Sequence, residues 1–106
     1  MAEVKFTPQS ISDLNDIAEY ISKDSFYYAS IQVQKLLKRT EQLESQPYSG
    51  RIVPELKIKS IREIIEGNYR IVYRLINAEL VHILTFHHSK RKLTRSRIKK
   101  ITRKNK

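Results

Sequence analysis

The chain has 106 residues, enough for one domain with a modest core, and it lacks cysteine, which excludes disulfides and thiolate metal sites. Residues 1–88 hold eleven basic and eleven acidic residues, whereas residues 89–106 hold ten Lys and Arg and no acid, so the whole formal charge of +10 lies there. The sequence shows neither a bilayer-length apolar run nor a secretory signal after Met1. We therefore expect a small cytoplasmic protein with a neutral body and a basic tail suited to an anionic partner.

The first half of the chain predicts a short strand and a helical hairpin. Residues 3–6 alternate polar and apolar side chains, as a strand does. Thr7-Pro8 predicts a helix start, because a hydroxyl N-cap precedes a proline at the first helical position. Apolar residues spaced by three and four give this helix one buried stripe, and a second such helix follows residues 22–25 and ends before Pro47. We expect the two helices to pack antiparallel.

The second half predicts an irregular loop over residues 47–60 and then a meander of strands. Strand-like spacing covers residues 61–66, 69–76 and 79–87, and the pairs Gly67-Asn68 and Asn77-Ala78 between them are typical of hairpin turns. The predicted fold class is α+β, in the order β-α-α-β-β-β, with the helical hairpin packed on one face of a small antiparallel sheet.

Two-residue turns determine which side chains share a face of this sheet. The face expected against the helices carries mostly apolar residues, namely Tyr69, Ile71, Tyr73, Leu75, Leu80, His82, Leu84 and Phe86. The opposite face, expected to be open, carries Glu63, Arg70, Val72, Arg74, Thr85 and His87. In this register Arg70 lies opposite Thr85, and His88 lies at the rim.

The polar groups of the open face permit two interpretations. One is acid–base chemistry on a phosphodiester, in which arginine holds the phosphate and histidine moves protons. The other is a solvated ladder of ion pairs made by Glu63, Arg70 and Arg74. His82, expected in the core opposite Tyr73, is interpreted as structural. The pair His87-His88 lacks a third ligand, so we predict no metal site and no cofactor.

The basic tail, residues 94–106, contains few apolar residues. We expect a partly disordered arm, or one that becomes helical on a partner. Contacts with ~6–10 phosphates would lower affinity by roughly three to five orders of magnitude between 50 and 200 mM salt. The alternative is a tail that only improves solubility. Base stacking is not expected, because the tail contains no aromatic residue.

Several short segments occur in a distinctive order along the chain. Those of the helical half are Phe6-Thr7-Pro8, Asp13-Leu14 and Tyr20-Ile21. Those of the loop are Pro47-x-x-Gly50-Arg51 and Val53-Pro54-Glu55-Leu56. Those of the strands are Ile61-Arg62-Glu63, Gly67-x-Tyr69-Arg70-Ile71-Val72-Tyr73-Arg74 and His88-x-x-Arg91. Together they resemble the RelE/ParE superfamily, the toxin half of bacterial type II toxin–antitoxin (plasmid stabilisation) pairs. The resemblance implies a toxin domain over residues 1–93 with the same β-α-α-β-β-β fold, and it does not extend to the tail.

The resemblance implies a toxin that inhibits growth and is neutralised by a cognate antitoxin. ParE-like members inhibit DNA gyrase, whereas RelE-like members are endonucleases that cut mRNA on the translating ribosome. The loop from Gly50 to Leu56, the His88-x-x-Arg91 ending and the lack of a tyrosine after Tyr73 favour the ParE-like branch. That branch implies no catalytic residues and a target-binding surface of His87, His88, Arg91, Lys92, Arg95 and Arg97. The nuclease alternative would use Arg70, His88, Glu63, Lys57 and Lys59.

The expected partner is an antitoxin whose acid-rich amphipathic segment packs on the helical hairpin. The residues expected to receive it are Leu14, Ile17, Ile21, Val33 and Leu37. The assembly would be a homodimer or a toxin–antitoxin hetero-oligomer, with no membrane involved. A third hypothesis is a nucleic-acid-binding module without toxicity.

Overall fold

The computed structural model describes the backbone of residues 1–104 and the side chains of residues 1–101, so residues 105–106 of the predicted tail lie outside the described residues. The described elements are β1 (Glu3–Phe6), α1 (Pro8–Ser22), α2 (Phe26–Ser45), β2 (Arg51–Ile52), β3 (Ile61–Glu66), β4 (Tyr69–Asn77), β5 (Leu80–His88) and α3 (Arg95–Lys104). The α+β class and the predicted order are confirmed. The two-residue strand β2 and the helix α3 were not predicted.

Both helices of the hairpin begin where the sequence predicts. The side-chain oxygen of Thr7 accepts a hydrogen bond from the Ser10 N–H at 3.2 Å, and Pro8 occupies the first turn of α1. The Thr7 hydroxyl also donates to the carbonyl of Ile83 at 2.7 Å, so the cap attaches α1 to β5. Ser25 caps α2 in the same way through the Tyr28 N–H.

The five strands form one sheet in the order β1-β5-β4-β3-β2. The three long strands pair antiparallel, as predicted, and β2 adds a further antiparallel pair at the edge beside β3. The strand β1 lies at the opposite edge and runs parallel to β5, because the helical hairpin carries the chain back before the meander begins. The sheet is therefore mixed rather than purely antiparallel.

The register between β4 and β5 differs from the prediction. The first turn is confirmed, since Glu66 pairs with Tyr69 across Gly67-Asn68. The second turn lies one residue later, with Asn77 paired to Leu80, and β-bulges interrupt the pairing on both sides of the segment from Tyr73 to Leu75.

A bulge reverses the alternation of side chains in the residues that follow it. The later turn and the two bulges together place Arg70 opposite His87 rather than Thr85, and Arg74 opposite His82. The prediction that His82 and Leu84 face the helical hairpin is wrong, because that position belongs to Val81 and Ile83, and Leu84 packs on the other face.

Both faces of the sheet are covered. A first core lies between the sheet and the hairpin and contains Leu36, Leu43, Ile71, Tyr73 and Ile83 among its buried members. A second core lies on the face that the sequence predicted to be open and contains Val53, Leu56, Ile61, Val72, Leu84, Leu93, Ile98 and Ile101. The prediction of an open face is therefore wrong, because the loop after β2 and the helix α3 cover it.

The helix α3 lies within the predicted basic tail. Leu93, Ile98 and Ile101 are each no more than 3% exposed, and the Arg95 guanidinium donates to the Leu56 carbonyl at 3.0 Å. Three apolar residues are enough to hold this short helix because all three are buried. The tail was expected to be a partly disordered arm or to become helical on a partner, whereas residues 95–101 form a helix that packs on the chain's own sheet.

Candidate functional site

Two of the polar residues predicted for the open face, Glu63 and Arg70, form the centre of a network of ion pairs. Glu63 on β3 and Arg70 on β4 are brought together by the tight hairpin at Gly67-Asn68. The Arg70 Nε donates to Glu63 Oε1 at 2.6 Å, and the carboxylate of Glu63 is completely buried. These two residues therefore contact each other as the sequence predicted, but inside the protein rather than on its surface.

Two further residues complete this network. Glu55 accepts hydrogen bonds from both terminal nitrogens of Arg70, at 2.6 and 2.7 Å, in the bidentate geometry that suits a guanidinium and a carboxylate. Arg51 donates to the second oxygen of Glu63 at 2.7 Å. The hydrogen bonds from Arg70 hold the pKa of Glu55 at about 2, below its ordinary value of 4.5. In return, the hydrogen bond to Glu55, more than that to Glu63, raises the pKa of Arg70.

This arrangement limits what Arg70 can bind. Its side chain is 8% exposed, and its Nε and both terminal nitrogens already donate to carboxylates. A phosphate approaching the guanidinium would meet the carboxylates of Glu55 and Glu63, and these negative charges would repel it. The geometry is that of a structural ion-pair network, as in the second of the two interpretations, but it is buried around Glu63 and contains Glu55 and Arg51 in place of Arg74.

The other residues predicted for a nuclease lie apart from this network. His88 lies beside Tyr69, edge-on with ring centres 5.4 Å apart, so it is on the opposite side of the sheet from Arg70. Its Nδ1 accepts a hydrogen bond from the Lys90 N–H at 3.2 Å. Lys57 and Lys59 are exposed in the loop before β3. The structure therefore brings together Glu63 and Arg70 but not the remaining three.

A cleft of roughly 830 Å³ lies between α1 and the end of β5. One wall is acidic, with Asp13 and Asp16 from α1, and Thr85 donates a hydrogen bond to Asp13 across the cleft floor. The other wall carries four of the residues predicted to bind the target, namely His87, His88, Arg91 and Arg97, together with Lys90. The cleft thus presents both signs of charge.

The six predicted target-binding residues differ in their exposure and in their contacts. Lys92 is exposed, and Arg95 is attached to the Leu56 carbonyl. His87 is 8% exposed, and its Nε2 lies 2.8 Å from the Arg91 carbonyl oxygen, so it shapes the turn after β5. Of the six, Arg91, Lys92, Arg95 and Arg97 are the most exposed.

The predicted antitoxin-binding residues are distributed over three environments. Leu14 and Ile17 are half-buried and pack against the first core. Ile17 and Ile21 also line the acidic wall of the cleft. Val33 lines a separate groove between α1 and α2, of roughly 580 Å³, and Leu37 is half-buried on α2. None of the five is fully exposed.

Three consecutive aromatic residues at the start of α2 were not singled out by the sequence interpretation. Phe26, Tyr27 and Tyr28 are 83%, 70% and 65% exposed, and Phe26 borders the groove that contains Val33. The signal was present in the sequence, since consecutive helical residues point 100° apart and three of them cannot all face one core. Exposed aromatic clusters of this kind are characteristic of protein-binding surfaces.

The spacing Pro47-x-x-Gly50 has a structural explanation in Tyr73. The Tyr73 hydroxyl donates to the Pro47 carbonyl and accepts from the Gly50 N–H, both at 2.9 Å. A Cβ on Gly50 would lie 2.5 Å from that hydroxyl, so the position requires glycine. Burial raises the pKa of Tyr73, so its hydroxyl stays protonated and keeps donating.

Among residues 1–104, no group of three or more His, Cys, Asp or Glu is placed to hold a metal ion. None of the helices described in the structure is long and apolar enough to cross a membrane.

Comparison with known proteins assigns the chain to a family. Residues 4–93 match the family model described as the ParE toxin of the type II toxin–antitoxin system parDE. The fold is similar to a chain of the chromosomal ParDE toxin–antitoxin system from P. aeruginosa, with a TM-score of 0.69 and 20% identity, over 83% of this chain and 96% of that chain. No curated protein sequence matches the chain.

Proposed function

This chain belongs to the family of ParE toxins of type II toxin–antitoxin systems, and we propose that it stops growth by inhibiting DNA gyrase rather than by cutting RNA. Membership of the family makes it the toxin component of such a system. The choice of gyrase as the target is the proposal, and one observation carries it: the Arg70 guanidinium is paired with the carboxylates of Glu55 and Glu63.

Arg70 is the residue on which a nuclease mechanism would depend. The nuclease alternative would use it together with His88. Here its guanidinium is held by Glu63 and Glu55 within 2.7 Å. Each of its three nitrogens therefore already donates to a carboxylate, its side chain is 8% exposed, and His88 lies on the other side of the sheet. These positions support inhibition by binding.

The proposed target-binding surface is the exposed basic edge after β5, with Arg91, Lys92, Arg95 and Arg97 as its charged members and His87 and His88 as its base. Arg91 and Arg97 lie on the basic wall of the cleft, which gives this surface a concave part.

We also propose where the antitoxin binds. An acid-rich amphipathic segment fits the hairpin because its apolar side can cover the groove at Val33 and Phe26. Its acidic side can then reach the cations beside the cleft. The complex would form in the cytoplasm, as a hetero-oligomer of toxin and antitoxin or as one built on a toxin homodimer.

The test is to induce the chain in bacteria that lack the antitoxin and to pulse-label DNA and protein synthesis over the first minutes. The gyrase proposal expects DNA synthesis to stop first, with induction of the DNA-damage response. If translation stops first and mRNA is cut within codons, the nuclease alternative replaces the proposal. If neither changes, the chain is not toxic and the nucleic-acid-binding hypothesis gains.

A pair of matched variants locates the surface. Replacing Arg91 and Arg97 by Gln removes two charges from the cleft wall, and we expect it to relieve growth arrest. Replacing Lys35 and Lys38 by Gln removes two charges from the exposed side of α2 and should leave the arrest unchanged. Equal relief by both variants would contradict the proposed surface.

A further inference from the structure

We propose that the solvent face of α3 binds the phosphate backbone of a nucleic-acid duplex directly and without sequence preference. The inference concerns a contact made by the chain itself and does not depend on which enzyme the toxin inhibits. It rests on how the helix divides its apolar and charged residues.

The apolar residues of α3 are buried in the protein. Ile98 and Ile101 lie three residues apart on one side of the helix, and both are buried in the second core. Arg97 and Lys100, also three residues apart, are exposed on another side. Residues 89–106 contain no acid, so the solvent face has no carboxylate of its own to neutralise these charges.

Apart from Arg97, the exposed residues described on α3 do not line the cleft proposed for the protein target, and their composition favours a polyanion over a protein or a membrane. A stable protein interface depends on a few apolar or aromatic anchors, and a membrane-surface helix needs apolar side chains to insert. With Ile98 and Ile101 buried, the exposed side chains described on α3 are cationic or small and polar. Phosphate binding needs only such cations, because its free energy comes mainly from counterion release.

The geometry favours a duplex over a single strand. Proteins that hold single strands stack bases on aromatic side chains, and residues 89–106 contain none. The helix has 10 residues and is thus about 15 Å long, and that length of duplex axis carries about nine phosphates. Arg97 and Lys100 on α3, with Lys92 in the turn before it, can therefore meet several phosphates at once.

The test measures binding of the purified full chain to a labelled 20-base-pair DNA by fluorescence anisotropy at several salt concentrations. The basic-face variant replaces Lys92, Arg97 and Lys100 by Gln. The matched control replaces Lys23, Lys35 and Lys38, exposed on the helical hairpin, by Gln and so has the same net charge. Circular dichroism establishes that both variants keep the wild-type fold.

The basic-face variant should reduce the slope of log affinity against log salt by roughly 2–3, and affinity near 100 mM salt by about 100-fold. The control should stay within a few-fold of wild type. Equal losses in the two variants, or no measurable binding by the wild-type chain, would overturn the proposal. Parallel titrations with duplex RNA and with single-stranded DNA identify the source of the phosphates, and tighter binding to the single strand would also overturn it. So would tighter binding to vesicles of an anionic phospholipid than to the duplex.

Discussion

The two faces of the sheet are covered by different means. The helical hairpin covers one face with apolar side chains, in a continuous core that includes Leu36, Leu43 and Ile83. The other face is covered by a loop and the short helix α3, and its smaller apolar core lies beside a buried ion-pair network. The comparison shows that one sheet can be stabilised by apolar burial on one side and depend on buried charges on the other. We expect the two faces to respond differently to mutation.

The largest expected effect comes from removing Arg70. Arg70→Ala leaves the buried carboxylate of Glu63 paired only with the more exposed Arg51, so we expect a loss of about 3–5 kcal/mol in the free energy of unfolding. Arg74→Ala, on the same strand but half-exposed, is the control and should cost about 1 kcal/mol or less. Urea denaturation measures both. Similar losses would mean that the network does not stabilise this face.

The next prediction compares the loss of stability when one buried residue is truncated in each of the two cores. Leu36→Ala creates a cavity in the first core, and we expect it to lower the free energy of unfolding of the whole protein by about 2–5 kcal/mol. We expect no single element on this face to detach by itself and so limit the loss. Ile98→Ala should cost less globally, because α3 can detach from the sheet while the rest stays folded.

Hydrogen exchange distinguishes these two outcomes. Ile98→Ala should raise exchange at the amides of α3 well before those of β4 and β5. Uniform acceleration across all three elements would show that the faces form one cooperative unit, and the comparison would then fail.

A smaller effect is expected where the hairpin side meets the loop. Gly50→Ala would place a Cβ 2.7 Å from the Glu63 carbonyl oxygen and closer still to Tyr73, and the overpacking should cost about 1–3 kcal/mol. The contrasting position is Gly67, where a Cβ meets no atom within 4 Å but φ is +58°. Gly67→Ala should therefore cost only the backbone strain, about 1 kcal/mol. Thermal unfolding of both variants ranks the two losses of stability. A larger loss for Gly67→Ala than for Gly50→Ala would contradict the close contact between Gly50 and the Tyr73 hydroxyl.

The smallest expected effect is a dependence of stability on pH. The pKa of Glu55 is about 2 in the folded protein, below its ordinary value of 4.5, so its contribution is fully present above pH 4.5 and is lost as the pH falls toward 2. Wild type should exceed Glu55→Gln in stability at pH 7, and the difference should shrink over that interval. A difference independent of pH would mean that the Arg70 pairing does not act through the charge of Glu55.

The sequence predicts the hairpin side of the molecule well and the other side poorly, for physical reasons. Helix caps such as Thr7 and apolar spacing are local signals, and both were confirmed. The bulge beside Tyr73 has no comparable signal, yet it reversed the faces of His82 and Leu84. The contact between Glu55 and Arg70 joins an irregular loop to a strand, so no periodicity could predict it. The packing of α3 on the sheet was not predicted, because so few apolar residues give no clear helical stripe in the sequence and stabilise the helix only through their burial.

The parallel pairing of β1 with β5 has a consequence for how the molecule is made. The hydrogen bond from Thr7 to Ile83 joins residues 76 positions apart, and β1 has no other neighbour in the sheet. During synthesis the first strand must therefore wait until β5 has emerged before its edge is paired. Until then the nascent chain lacks its complete sheet, so we expect the basic edge after β5 to form only once both strands are present. A partner that recognises this edge would then meet the toxin only after its sheet has closed.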